Sequence, residues 1–153
     1  MQPVSMMVRN RKIVSSIERY GWHCISVPGE EEGQFDFSYL IGFEETLKHP
    51  EVSIFGLPSK IASPIIANCY DLVRKGHPLE VGKDYPGLLS GGYRVMVGGF
   101  AKPSHHGDYF GAGMEYHGRE VRMLVLLWPN RSGVFPVGME GHPQREAMWV
   151  MSD

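Results

Sequence analysis

The chain has 153 residues, 42% of them hydrophobic and 21% charged, which is the size and balance of a single folded domain. Its 15 basic and 17 acidic side chains nearly cancel, which excludes the broad cationic surface that a dedicated nucleic-acid-binding protein needs. The longest apolar stretch, Met123 to Trp128, is far shorter than the roughly 20 residues that span a bilayer, so we expect no membrane insertion.

The first predicted element is a short amphipathic helix. Residues Met1 to Val8 have no periodic pattern and are predicted to form a flexible arm. After them, Ile13, Ile17 and Tyr20 recur at helical spacing, and Gly21 is placed to end the helix. Alternation over Trp22 to Val27 then predicts a strand with both faces partly covered, and the acidic run Glu30 to Glu32 predicts a solvated turn.

The middle of the chain contains the clearest strand and the clearest helix. Apolar residues at every second position predict a strand with one core face over Phe35 to Ile41, and a second, shorter strand follows over Val52 to Phe55 after a polar connection. An apolar stripe then predicts a helix that Gly76 ends, formed by Ile61, Ile65, Cys69, Leu72 and Val73. Because Pro64 interrupts this stripe, we expect the regular helix to begin there, with Ser63 as its cap.

The second half of the chain alternates loops with strands. Glycines and prolines predict a long surface loop from His77 to Gly92, and a second polar loop from Pro103 to Gly113. Strands are predicted over Tyr93 to Val97 and Val121 to Trp128, with a brief extension over Val134 to Val137. Residues 138–153 have no periodicity and are predicted to be a frayed tail.

Together these elements predict one α+β domain over residues 9–137. We expect about five strands and two or three helices. The first strands follow one another with no helix between them. This favours a mixed or mainly antiparallel, curled sheet over a doubly wound parallel one.

The main candidate for metal chemistry is a histidine-rich stretch that begins in the second predicted loop. Within thirteen residues it holds His105, His106, Asp108, Glu115 and His117, all good ligands for first-row metals. Their spacing matches no known metal motif, and adjacent side chains on an extended backbone point in opposite directions. We therefore expect these to be polar surface residues. The alternative is a metal-dependent hydrolase that uses His105, His106, Asp108 and His117.

The sequence offers no other catalytic or nucleotide-binding motif. No serine lies in a nucleophile elbow, and the glycines form no phosphate-binding loop. The two cysteines, Cys24 and Cys69, have neither metal nor redox spacing, so we expect reduced core thiols in a cytoplasmic protein.

Aromatic side chains and one arginine give the strongest indication of binding. Rings are frequent around the predicted sheet, and those at strand ends could line a small-molecule pocket. Arg122 lies in an otherwise apolar strand, where an inward-pointing guanidinium must meet a carboxylate or a ligand anion. Glu51 is the acidic residue that we pair with it.

The order of several short motifs resembles a known bacterial family, the domain of unknown function 4262. The motifs are IERYGW (residues 17–22), FSYLIGF (37–43), HPE (49–51), FGLP (55–58) and VRMLVLLWPNRSGVFP (121–136). The resemblance implies no reaction, cofactor or partner. It does single out nine positions: Tyr39, Gly42, Pro50, Glu51, Gly56, Arg122, Trp128, Gly133 and Pro136. Of these, Tyr39, Glu51, Arg122 and Trp128 can make polar contacts, and we predict them as ligand-binding residues.

The sequence thus predicts a cytoplasmic domain without a cofactor that binds a small anionic ligand or a protein partner and catalyses no reaction. The partner version includes an immunity or phage-conflict protein. A further alternative is an assembly module, in which residues 1–8 and 138–153 pair with a second copy to form a homodimer.

Overall fold

A computed structural model describes residues 4–29, 35–118, 121–135 and 144–152, with the backbone alone for residues 4–10 and 145. Within these ranges the chain forms six strands and six α-helices. The strands are β1 (His23–Val27), β2 (Phe37–Ile41), β3 (Glu51–Phe55), β4 (Asp84–Tyr85), β5 (Val95–Phe100) and β6 (Met123–Leu127). The α-helices are α1 (Val4–Tyr20), α2 (Phe43–Leu47), α3 (Ser59–Arg74), α4 (His106–Tyr109), α5 (Gly111–His117) and α6 (Arg145–Val150), and a 3₁₀ turn covers Pro103–His105.

The strands form one mixed sheet in the order β1-β2-β3-β6-β5-β4. Strands β3 and β6 are parallel, and every other neighbouring pair is antiparallel. This confirms the predicted α+β class with a mixed sheet. The strand that was not predicted is β4, which lies inside the predicted loop of residues 77–92. It has only two residues, which is too short a segment to show a periodic pattern.

Each face of the sheet packs against its own hydrophobic core. In β2, Leu40 faces the core that α3 covers, whereas Tyr39 and Ile41 face the core that α1, α4 and α6 cover. The period-two interpretation of β2 is therefore right, although Phe35 lies before the strand and is 38% exposed. The central strands β2, β3 and β6 are buried along their whole length.

Helix α3 begins earlier than predicted. It starts at Ser59 after an extended Pro58, and Pro64 lies inside it. The prediction of a start at Pro64 is wrong because a proline removes only one main-chain hydrogen bond. Burial of Ala62 on one side of it and of Ile65 and Ile66 on the other holds the helix together across that position.

The two ends of the chain and the second predicted loop also differ from the predictions. Helix α1 already begins at Val4, inside the predicted arm. Helix α6 lies in the predicted tail, with Ala147 and Val150 fully buried, so residues 144–152 are not frayed. Helices α4 and α5 replace the loop predicted over residues 103–113. The acidic run 30–32 and residues 136–143 lie outside the described residues.

Among the described residues, no helix has both the length and the apolar character needed to cross a lipid bilayer.

Candidate functional site

Glu51, at the start of β3, is the most enclosed of the predicted site residues. Its side chain is 1% exposed. The carboxylate accepts hydrogen bonds from the backbone N–H groups of Gly42 and Phe43 at 2.7 Å and from that of Glu44 at 3.3 Å. These are the first amides of α2, which otherwise lack partners, so Glu51 caps this short helix from a different strand.

Gly42 makes this cap possible. Its φ is 126°, a conformation that disfavours a side chain. A Cβ atom at this position would lie 2.9 Å from the carbonyl oxygen of Gly21 and 3.0 Å from the Cα of Trp22. The glycine therefore lets the chain leave β2 and turn directly into α2 with its amides aimed at Glu51.

His117, the last residue of α5, completes the surroundings of Glu51. Its Nε2 lies 3.0 Å from Oε2 of Glu51, and its side chain is 9% exposed. The carboxylate fixes the ring so that Nε2 carries a proton and donates it to this bond. With four donors around it, Glu51 has little remaining capacity to act on a substrate. We call the group Gly42, Phe43, Glu44, Glu51 and His117 the α2 end.

Arg122 lies beside the α2 end but reaches outward. The backbone N–H of Glu51 donates to the Arg122 carbonyl oxygen at 2.9 Å, so the two residues are neighbours through their main chains. The guanidinium is 56% exposed and donates to Oε1 of Glu44 at 2.9 Å. It also borders a hollow of about 470 Å³ with Phe100, His106 and Val121. The guanidinium thus pairs with Glu44 and not with Glu51, the carboxylate expected from the sequence, and it is not held inside a ring-lined pocket.

The other two predicted ligand-binding residues lie elsewhere. Trp128 follows the far end of β6, about 20 Å along the strand from Arg122. Its indole donates to the Phe55 carbonyl oxygen at 2.8 Å, and its main chain exchanges two hydrogen bonds with Gln144. Tyr39 is buried in the middle of β2 and packs edge-to-face on Phe110. The structure therefore brings Glu51 and Arg122 together, and leaves Tyr39 and Trp128 apart from them.

The histidines proposed as metal ligands contact different parts of the chain. His105 packs on Trp149 and shares a hydrogen bond with the Ser152 carbonyl oxygen. His106 is buried against Phe110, and His117 contacts Glu51. Nowhere in the described ranges do three or more His, Cys, Asp or Glu side chains come together as a metal site.

A cavity of about 760 Å³ lies between β1, the first half of β2 and helices α4 to α6. We call it the β1 cavity. The rings of Phe35, Phe37, Tyr39 and Tyr109 line it together with Ile25, Val27, Ala112 and the main chain around Pro28 and Gly29, and its polar side chains are His23, Ser26, Asp108 and Glu146. Its volume is within the range of small-molecule sites.

The charged groups of the β1 cavity are unpaired acids. Neither the Asp108 nor the Glu146 carboxylate forms an ion pair or hydrogen bond with another described residue. The pKa of His23 is lowered by burial and by the nearby Lys12, which favours its neutral form. The cavity thus combines apolar rings with two carboxylates that form no ion pair with the described residues.

Sequence reasoning found only part of this cavity. The sequence predicts Tyr39 as a ligand-binding residue and includes Asp108 only in the alternative metal cluster. Glu146 lies in the stretch interpreted as a tail. The feature of the sequence that points to the cavity is the alternation in β1. It predicts a strand with both faces partly covered, as expected for an edge strand beside a cavity.

Both cysteines are free thiols, as predicted. Cys69 is fully buried in α3, and burial raises its pKa to about 12. Burial also raises the pKa of Cys24, which lies 3.8 Å from the Ser63 hydroxyl. A raised pKa disfavours the nucleophilic thiolate, so neither residue is suited to nucleophilic catalysis.

Comparison with known proteins identifies a family. The family model described as a domain of unknown function, DUF4262, matches residues 16–140. No curated protein and no solved structure shows significant similarity to the chain. Because the matched region is most of the chain, the protein belongs to the DUF4262 family.

Proposed function

We propose that this member of the DUF4262 family is a binding domain whose ligand occupies the β1 cavity, without catalysis. The observation that carries the proposal is the pairing of a ring-lined floor with two carboxylates, Asp108 and Glu146, that have no ion-pair partner among the described residues. Aromatic surface supplies area for an apolar ligand, and a few polar groups fix its orientation.

The same observation supports a ligand with a positive charge. A cation in the cavity would be attracted by both carboxylates and could rest on the faces of Tyr39 or Tyr109. An anionic ligand, which the sequence favours through Arg122, would have to separate that guanidinium from Glu44 at a site open to water. There its attraction would be weakened by solvent and salt.

The test is calorimetric titration with two matched probe series. Phenethylamine and benzyltrimethylammonium carry a ring and a positive charge, and phenylacetate carries the same ring with a negative charge. We expect the two cations to bind and phenylacetate to bind at least tenfold more weakly. Equal binding of both series, or binding of neither cation, would contradict the proposal.

Two tryptophan variants localise the binding. Ala112→Trp fills the β1 cavity, so cation binding should be lost. Ile61→Trp adds the same ring to the exposed surface of α3, on the opposite face of the sheet, and should bind as the unmodified protein does. Circular dichroism of both variants checks that the fold is retained. Unchanged binding in Ala112→Trp would place the ligand elsewhere.

A further inference from the structure

The strand β1 differs from the central strands of the sheet. It lies at the edge, paired with β2 alone, and none of its five residues is buried. By contrast, β2, β3 and β6 are buried throughout. No backbone hydrogen bond joins residues 23–27 to any described segment other than β2. Among the described residues, the outer main chain of β1 therefore has no strand paired with it, and such an edge can accept another strand.

The β1 cavity follows this open edge as well as one face of the sheet. Five consecutive residues, from Ile25 to Gly29, line it, although alternate side chains of a strand point to opposite faces. The hydroxyl of Ser26 shows this directly, because it bonds the Ser38 hydroxyl at 3.0 Å on the face that α3 covers. Ser26 thus borders the cavity from the edge of the strand, where the main chain is accessible.

We infer that the natural occupant of the β1 cavity is an extended peptide segment with basic side chains, which adds to β1 as a seventh strand. This rests on the proposed function and specifies its ligand. Main-chain hydrogen bonds to β1 would supply affinity in any sequence. Every second side chain of the peptide would face the rings of Phe37, Tyr39 and Tyr109, and lysine or arginine among them would reach Asp108 and Glu146.

Charge favours such a peptide over a second copy of this chain. Pairing of two β1 edges would bring the carboxylates of both copies to one junction. The strand itself, with the sequence His-Cys-Ile-Ser-Val, offers no lysine or arginine to neutralise them. Like charges across an interface oppose association, so the acidic lining selects a basic partner.

The probe is the capped, fluorescein-labelled hexapeptide Lys-Thr-Phe-Thr-Lys-Thr, whose first, third and fifth side chains share one face. Two further versions carry N-methyl groups on the amides of either the odd or the even residues. Only alternate amides of a strand face a given neighbour. By fluorescence anisotropy we therefore expect one methylated version to bind at least tenfold more weakly and the other to bind within threefold of the parent peptide. Equal effects of the two methylation patterns would overturn strand addition.

Charge is tested on both partners. Replacing both lysines of the peptide by glutamate should abolish binding. The protein variant Asp108→Asn with Glu146→Gln should weaken binding of the parent peptide at least tenfold. Asp71→Asn, which removes an exposed acid of α3 on the opposite face of the sheet, should leave it unchanged. An equal loss in Asp71→Asn would mean that general charge, and not the cavity, binds the peptide.

Failure of this inference differs from failure of the proposed function. If phenethylamine binds in the cavity and the hexapeptide does not, the cavity takes a small cation and the inference is wrong. If neither binds, both proposals are wrong. If the protein instead forms dimers by light scattering, and Ile25→Lys on β1 abolishes them, the edge is occupied by a second copy and the inference is again wrong.

Discussion

The α2 end and the β1 cavity both place carboxylates beside aromatic or apolar groups, but the hydrogen bonding of these carboxylates differs. Glu51 is fully enclosed and accepts hydrogen bonds from three backbone amides and His117. Asp108 and Glu146 have no such partner among the described residues. A buried carboxylate whose hydrogen bonds are all made within the protein stabilises the fold. Carboxylates beside a cavity that lack such partners are available to bind a ligand.

The largest expected effect comes from making the same substitution in both regions. Glu51→Gln places an amide NH₂ against backbone donors and removes the charge that holds His117, so we expect a loss of about 3–5 kcal/mol in the free energy of unfolding. Glu146→Gln removes an unpaired charge near Asp108 and should change stability by less than about 0.5 kcal/mol. Urea unfolding of both variants measures the difference. Similar losses would show that Glu51 does not have the structural role assigned to it.

Two glycine substitutions compare the backbone in the two regions. Gly42→Ala forces a Cβ atom against the Gly21 carbonyl in a left-handed conformation, so it should cost at least about 2 kcal/mol. Gly111→Ala, at the first position of α5 on the cavity wall, meets open space at an ordinary φ and should stabilise the protein by about 0.4–1 kcal/mol. Thermal unfolding of both variants, monitored by circular dichroism, provides the measurement. A neutral Gly42→Ala would contradict the tight turn into α2.

Features with a local period could be predicted from the sequence, and features formed by distant contacts could not. The alternation in β2 and the stripe of α3 each lie within one short segment, so most of their core residues are predicted correctly. The exceptions are Phe35 and Ile61, the first residues of the two patterns, which are 38% and 39% exposed. The cap on α2 joins Glu51 to amides seven to nine positions earlier and to His117, 66 positions later, and no periodic pattern in the sequence indicates such contacts. The family resemblance did single out Glu51 and Gly42, but residue type alone could not show that their contacts are with each other.

The smallest expected effect is the pH dependence of stability, compared between a histidine of the interior, His49, and one on the cavity wall, His23. Burial lowers the pKa of His49, whose Nδ1 donates to the Pro50 carbonyl oxygen and whose Nε2 accepts the Leu79 N–H, an arrangement that requires the neutral ring. The pKa of His23 is also lowered. Because the unfolded chain binds these protons near pH 6.5 and the folded chain resists them, stability is fully present above that pH and falls as the pH drops below it.

The slope per histidine cannot exceed about 1.4 kcal/mol per pH unit, which is the free energy of one proton per unit. We expect His49→Gln to reduce the loss of stability at low pH more than His23→Gln does. Both ring nitrogens of His49 are hydrogen-bonded to main-chain groups, and a protonated ring could no longer accept the Leu79 N–H. The measurement is urea unfolding of the three proteins at pH 7.5, 6.5 and 5.5. A steeper loss in His49→Gln than in the unmodified protein would have the wrong sign for a histidine held neutral. A cation bound in the β1 cavity should suppress protonation of His23 and leave that of His49 unaffected, which links this measurement to the binding site.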